Sequence, residues 1–238
     1  MHAIFERQDN MKEIIAYLKD LSLHNDREWF HANKARYVEA QARFNAIVDR
    51  IIMGIAQFDP SVANLTAKDC TYRIYRDVRF SNDKRPYKTH MGAYICPGGK
   101  KSGFSGYYFH VGIGGEGYPA SHMLAAGDYI CEPKVLKTLR EDICYGNGDF
   151  KDILKNQVAP EFYLDESSAL KRVPAGFPAD SPYADYLKLR VYCLCYEPET
   201  AFMTAPDMPK RTVELFKSTY PFLQYINRAI EYVKENGE

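Results

Sequence analysis

Six cationic side chains (Arg73, Arg76, Arg79, Lys84, Arg85 and Lys88) fall between Thr71 and His90, against two acids, Asp77 and Asp83. That local balance of +4 sits in a chain whose formal net charge is +0. A guanidinium is a planar fork that holds phosphate or carboxylate through two parallel hydrogen bonds, so Arg73, Arg76, Arg79, Lys84 and Lys88 form a candidate anion site. In this reading Arg73 and Arg79 clamp the anion, Asp77 orients one guanidinium or acts as a base, and Lys84 and Lys88 close over it. The same residues have a purely structural alternative, in which Asp77 pairs with Arg73 or Arg79 and Arg76 meets an acid such as Glu28.

A second constellation is Trp29 with Asn33 and Lys34, near the start of a helix. Trp29, Asn33 and Tyr37 are spaced four apart and share one helix face. Helix N-termini favour anions, so this end and the basic stretch would make one pocket if they abut. The alternative is a capped helix whose Trp29 and Phe30 anchor it to the core. Histidines make a third group. His90 and His110 fall on successive expected strands, with Tyr94 and Tyr108, on faces rich in glycine (Gly92, Gly106, Gly112). If the register aligns them, they could serve as a general base or as two metal ligands. No H-E-x-x-H or similar spacing accompanies them, so no metal is expected. Neither a G-x-x-x-x-G-K-[ST] loop nor a G-x-G-x-x-G turn into a helix occurs, and no G-x-S-x-G elbow does, so no cofactor is expected.

The elements that must position these groups follow from periodicity. Alternation from Thr71 to Phe80 predicts a half-buried strand, with Arg73, Tyr75, Asp77 and Arg79 on one face. Upstream, Ile14, Ile15, Leu18 and Leu21 predict a helix over 11–23. Asn25, with Glu28 three residues on, reads as the N-cap of a further helix reaching Ile55, about 30 residues and roughly 45–50 Å long, with room for a kink. Short aromatic or β-branched runs at 90–96, 105–113 and 121–130, joined by glycine-rich loops, predict an antiparallel sheet. Pro133 opens a helix that stops at Gly146, and a short helix follows Asn147. A proline-rich loop over 161–182, a helical turn at 183–189, a strand over 190–197 and two helices, 210–217 and 221–234, complete the chain. The architecture expected is α+β: residues 1–238 as a single domain, a central mostly antiparallel sheet packed against a long N-terminal helix and C-terminal helices.

Several of these stretches together resemble the bacterial family, with some fungal members, catalogued as DUF2461. The matching pieces are His24 to Phe30 with Asn33, Lys34 and Tyr37; Arg73 to Ser81 with Asp83, Lys84, Pro86, Tyr87, Lys88 and Thr89; and Gly106 to Tyr108. Ala126–Gly127 through Glu132–Pro133, Leu170 to Pro174 with Gly176–Phe177, and Phe216 through Pro221 to Ala229 also fit. His24 stands where an asparagine is expected, and Ser181 where the pattern resembles Asp-His-Pro. The resemblance implies a single soluble α+β domain and brings with it no activity, substrate or catalytic residue.

Composition narrows the function classes. Hydrophobic residues at 46% and charged residues at 26% are ordinary for a globular protein. The lack of a basic excess argues against a general nucleic-acid binder and leaves only a local patch. No apolar run reaches membrane-span length, so no membrane partner is expected. No signal peptide is visible, and the six cysteines form no C-x-x-C pair, which together point to the cytoplasm. The expected partner is therefore an anionic small molecule, phosphorylated or otherwise, on which the protein could act as an enzyme. The alternative is a non-catalytic module whose basic strand docks an acidic protein or a nucleic acid. The oligomeric state is not fixed by any of these features.

Overall fold

The computed structural model describes residues 11–79, 82–114 and 121–236. Phe80, expected to end the basic strand, and Ser81 lie outside the described residues, as do residues 115–120 in the glycine-rich loop expected after the run at 105–113.

Helix α1 spans Met11–Leu23 and buries Met11, Ile14, Tyr17, Leu18 and Leu21. The single helix expected from Asn25 to Ile55 is instead two, α2 (Arg27–Ala32) and α3 (Lys34–Ile55). Asn33 is the break: its φ of −105° and ψ of 19° leave the helical range. Its carboxamide donates to the Trp29 carbonyl at 3.0 Å, the competition with backbone that makes asparagine a poor mid-helix residue. The N-cap is Asp26, not Asn25, and its carboxylate accepts from the Trp29 N–H at 2.8 Å.

The sheet runs in the order β1-β2-β3-β5-β4, with every neighbouring pair antiparallel. Its strands are β1 (His90–Ile95), β2 (Gly106–Gly112), β3 (Met123–Asp128), β4 (Tyr163–Leu164) and β5 (Tyr192–Tyr196). Period two sends Met91, Ala93, Ile95, Tyr107, Phe109, Val111, Leu124, Ala126, Tyr192 and Leu194 to one face, all buried in the main core. Helices α1 and α3 pack on that face. So does α9 (Met208–Asn236). Phe44 of α3 stacks on Phe109, and Phe216 of α9 lies against Tyr107.

The expected strand from Thr71 to Phe80 is a correction. Among its described residues only isolated bridges form, Thr71 to Ala93 and Tyr75 to Tyr87. The segment follows α4 (Ala67–Cys70), runs along the outer edge of β1 with Tyr72 N–H donating to the Gly92 carbonyl at 3.0 Å, and then folds back on itself. Arg76 N–H donates to the Pro86 carbonyl and Lys88 N–H to the Ile74 carbonyl. Ile74 alone of 71–79 is buried, so the alternation has no flat sheet to sit on.

Beyond β3, α5 spans Pro133–Tyr145 with Pro133 in its first turn, α6 spans Asp149–Asn156, α7 spans Ala184–Leu187 and α8 spans Thr200–Met203. Within the stretch expected to be loop, β4 supplies a short edge strand. The two C-terminal helices expected are one, because α9 continues through Pro221. A mid-helix proline costs about 3 kcal/mol. Burial of Phe216, Phe222, Leu223, Tyr225 and Ile226 around it exceeds that, at ~1.5–3 kcal/mol for each large apolar side chain. Among the described residues no helix is long and apolar enough to cross a membrane.

Candidate functional site

The sheet face turned away from α1, α3 and α9 carries His90, Gly92 and Tyr94 on β1; Gly106, Tyr108, His110 and Gly112 on β2; Met123, Ala125 and Gly127 on β3; and Cys193 and Cys195 on β5. A cleft of about 730 Å³ opens over this face. Glycine makes the room. A Cβ at Gly92 would stand 2.8 Å from the Tyr108 hydroxyl. At Gly127, where φ is +142°, it would collide with the Tyr192 carbonyl.

Three walls rise around the floor. Tyr72, Arg73 and Lys88 come from the segment along the β1 edge. The β1–β2 loop brings Lys100, Lys101 and Phe104, and α9 brings Ile230, Val233 and Lys234. Asn227 of α9 fixes that loop, accepting from the Ser105 N–H at 2.9 Å and hydroxyl at 2.8 Å while donating to the Ser105 carbonyl at 3.2 Å. On the third side stand Asp128, Tyr129, Ile130 and Glu132, between β3 and α5.

Five cations and two acids line the cleft. Lys100 donates its ammonium to the Lys68 and Asp69 carbonyls. Lys234 donates to the Ser102 carbonyl and sits 3.5 Å from the Phe104 ring centroid. Arg73 and Lys88 form no ion pair with a carboxylate among the described residues. The Lys88 ammonium lies over the Tyr72 ring at 5.6 Å. Burial first, and then the neighbouring Arg73 and Arg76, hold its pKa below the ordinary lysine value. Like charges are thus crowded at this rim in a partly desolvated place, an arrangement that an incoming anion would relieve.

The other cations of the basic stretch are held internally. Arg76 pairs with Asp83, which also takes Arg85 at 2.7 Å. These hydrogen bonds, Arg85's first, hold the Asp83 carboxyl far below its usual range. Arg79 pairs with Asp77 at 2.6 Å on an exposed surface, and Lys84 donates to the Val78 carbonyl at 3.1 Å. The expectation that Arg73 and Arg79 converge on one ligand therefore gives way: Arg79 pairs with Asp77, and neither is among the residues that line the cleft.

The start of α2 does abut the basic segment, through aromatic packing instead of a shared pocket. Phe30 stacks on Tyr87 with ring centroids 3.9 Å apart. Trp29 stacks on His24 at 5.7 Å, and Lys34 lies over Phe30 at 5.6 Å. Trp29, Asn33 and Lys34 are not among the residues that line the cleft.

The histidines do come together. Gly92 faces His110 in the register, so His90 is its diagonal neighbour and the two rings stack at 4.6 Å. His90 lines the cleft, and His110, 1% exposed, stands behind it with Nδ1 and the Tyr108 hydroxyl 2.9 Å apart. Burial, with Lys88 and Arg76, lowers the pKa of His90 to about 4. Burial, with His90 and His122, lowers that of His110 to about 3. Both are therefore neutral near pH 7. Among the described residues no group of three or more His, Cys, Asp or Glu is placed to hold a metal ion.

The family model described as "Conserved hypothetical protein (DUF2461)" matches residues 13–225 of the 238. The chain belongs to this family. The DUF2461 match runs from the segment at the β1 edge through β5 and ends before Ile230, Val233 and Lys234 of the α9 wall. Searches of curated proteins and of solved structures found no match.

Most of the floor and the far wall escaped the sequence reading: Met123, Ala125, Cys193, Cys195, Asp128, Tyr129 and Ile130. The available signal was glycine on one face of β1 and β2 (Gly92, Gly106 and Gly112), which thins the side-chain cover of that face and so marks a surface with space above it.

Proposed function

We propose that this DUF2461 protein is a cytosolic binder of an anionic small ligand, held in the cleft above the glycine-rich sheet face by Arg73 and Lys88. The observation that carries this reading is the pair of cations at the rim of a concave site that form no ion pair with a carboxylate among the described residues, while the neighbouring arginines are paired. The cleft volume falls within the roughly 300–1,000 Å³ of small-molecule sites, and its mixed apolar and charged lining is of the same kind. A flat basic face would suit an acidic protein or a nucleic acid; the half-buried Lys88 and the walls around the cleft that it and Arg73 line favour the small ligand. If the ligand is turned over, His90 is the group in place to accept a proton, since its neutral imidazole opens onto the cleft. Asp77 is not, being tied to Arg79.

The test is a thermal-shift screen of phosphate- and carboxylate-bearing metabolites at constant ionic strength, followed by calorimetric titration. Arg73→Ala and Lys88→Ala should each abolish the shift, and Arg79→Ala should retain it. No shift from any anion in a broad panel would overturn the proposal. A response confined to polyanions, falling steeply with salt, would assign the site to a macromolecule.

A further inference from the structure

We infer that the ligand is a freely diffusing amphipathic anion, with a phosphate or carboxylate head at Arg73 and Lys88 and an apolar body laid across the floor toward β5. This rests on the anion-binding reading above and specifies its substrate class. Three observations carry it.

The first is a second apolar cluster, separate from the main core. Met123, Ala125, Cys193 and Cys195 are buried together on the cleft face, with Tyr108 packed against them. All four line the cleft, each no more than 6% exposed, and form its floor. The second is direction. The cations flank β1, and the register carries the floor across β2, β3 and β5 through the row Tyr94, Tyr108, Ala125 and Cys195. Three strand spacings are ~14 Å, so a head at the β1 edge leaves room for a body of that span. The third is the far rim. Tyr129 and Ile130 are 59% and 87% exposed at the cleft wall, where large apolar side chains face solvent. Asp128 and Glu132 beside them disfavour a second anionic group at that end.

Phosphate alone would use the cations and leave this floor unused. A body in contact with it adds apolar burial, worth about 0.8 kcal/mol per methylene, or roughly fourfold in affinity.

The experiment titrates wild-type protein with inorganic phosphate and with methyl, butyl, hexyl and octyl phosphate, each below its micelle-forming concentration and at fixed ionic strength. The expected result is a dissociation constant falling roughly threefold to fourfold per methylene until the floor is covered, then levelling. Ala125→Leu should flatten that dependence while keeping the response to inorganic phosphate. Should Ala125→Leu not fold, the wild-type series still decides. Equal affinity for phosphate and every alkyl phosphate would overturn this inference and leave the anion site standing. Failure of all of them to bind would remove the anion site as well. Sedimentation with vesicles containing phosphatidic acid, without binding of free alkyl phosphates, would overturn it by moving the ligand to a bilayer.

Discussion

Asn25 and Tyr87 grip one another by both ends of a side-chain amide: the carboxamide donates to the Tyr87 carbonyl at 3.0 Å and accepts from the Tyr87 N–H at 3.1 Å. This imitates one rung of a sheet and ties the turn before α2 to the residue next to Lys88. The geometry of the cationic rim thus depends on a residue that never enters the cleft.

Replacing Asn25 by Ala removes both bonds and leaves the Tyr87 backbone groups half-buried without them. A loss of about 2 kcal/mol is expected in urea unfolding, at roughly 1 kcal/mol per bond. Anion affinity should fall too, because Lys88 loses its support, whereas Asp26→Ala should cost helix stability alone.

Arg79 and Asp77 make the opposite case. Their pair is solvent-exposed, and solvent screening leaves such a pair little weight in stability. Arg79→Ala and Asp77→Ala should each leave the denaturation midpoint and the ligand response close to wild type. A large loss of ligand response in either would place the anion on this turn.

The histidines set an acid limit. His90 and His110 have folded pKa values of about 4 and about 3, below the 6.5 of a free imidazole. Between those values the unfolded chain holds more protons than the folded one. The contribution to stability is therefore complete above pH 6.5 and is lost as pH falls toward 4, at roughly 1 kcal/mol per pH unit for each ring. Urea midpoints measured from pH 7 to 4.5 should fall accordingly, and His110→Gln should fall less steeply.

Gly127 tests the floor. With φ at +142° and the Tyr192 carbonyl where a Cβ would be, Gly127→Ala must displace β5 or strain the backbone. A loss of about 2–4 kcal/mol is expected in urea unfolding. Gly176, which has a positive φ but open space around it, should lose less on the same change.

Strands β1, β2 and β5 were legible because each has one face in the core, and burial writes itself into alternation, whereas the two-residue β4 was too short to show a period. The segment from Thr71 to Arg79 alternates as clearly, yet only Ile74 goes inward, and the rest is held by backbone bonds to Gly92 and Pro86 that no side chain announces. Pro221 looked like an end because local punctuation carries no information about what Phe216 and Phe222 bury on either side of it. The pairing of His90 with His110 could be anticipated from two neighbouring strands. The union of Arg73 with Cys195 in one cleft could not, since it depends on β5 arriving beside β3 after more than sixty intervening residues.

The sheet separates two tasks between its sides. Residues toward the helices form the main core, while those toward the cleft form a second, smaller apolar cluster at its floor. Substitution at the exposed Ile130 of the wall would carry small thermodynamic cost, so under the proposed binding role proteins sharing this scaffold have a route to diverge in what they accept without first losing the ability to fold.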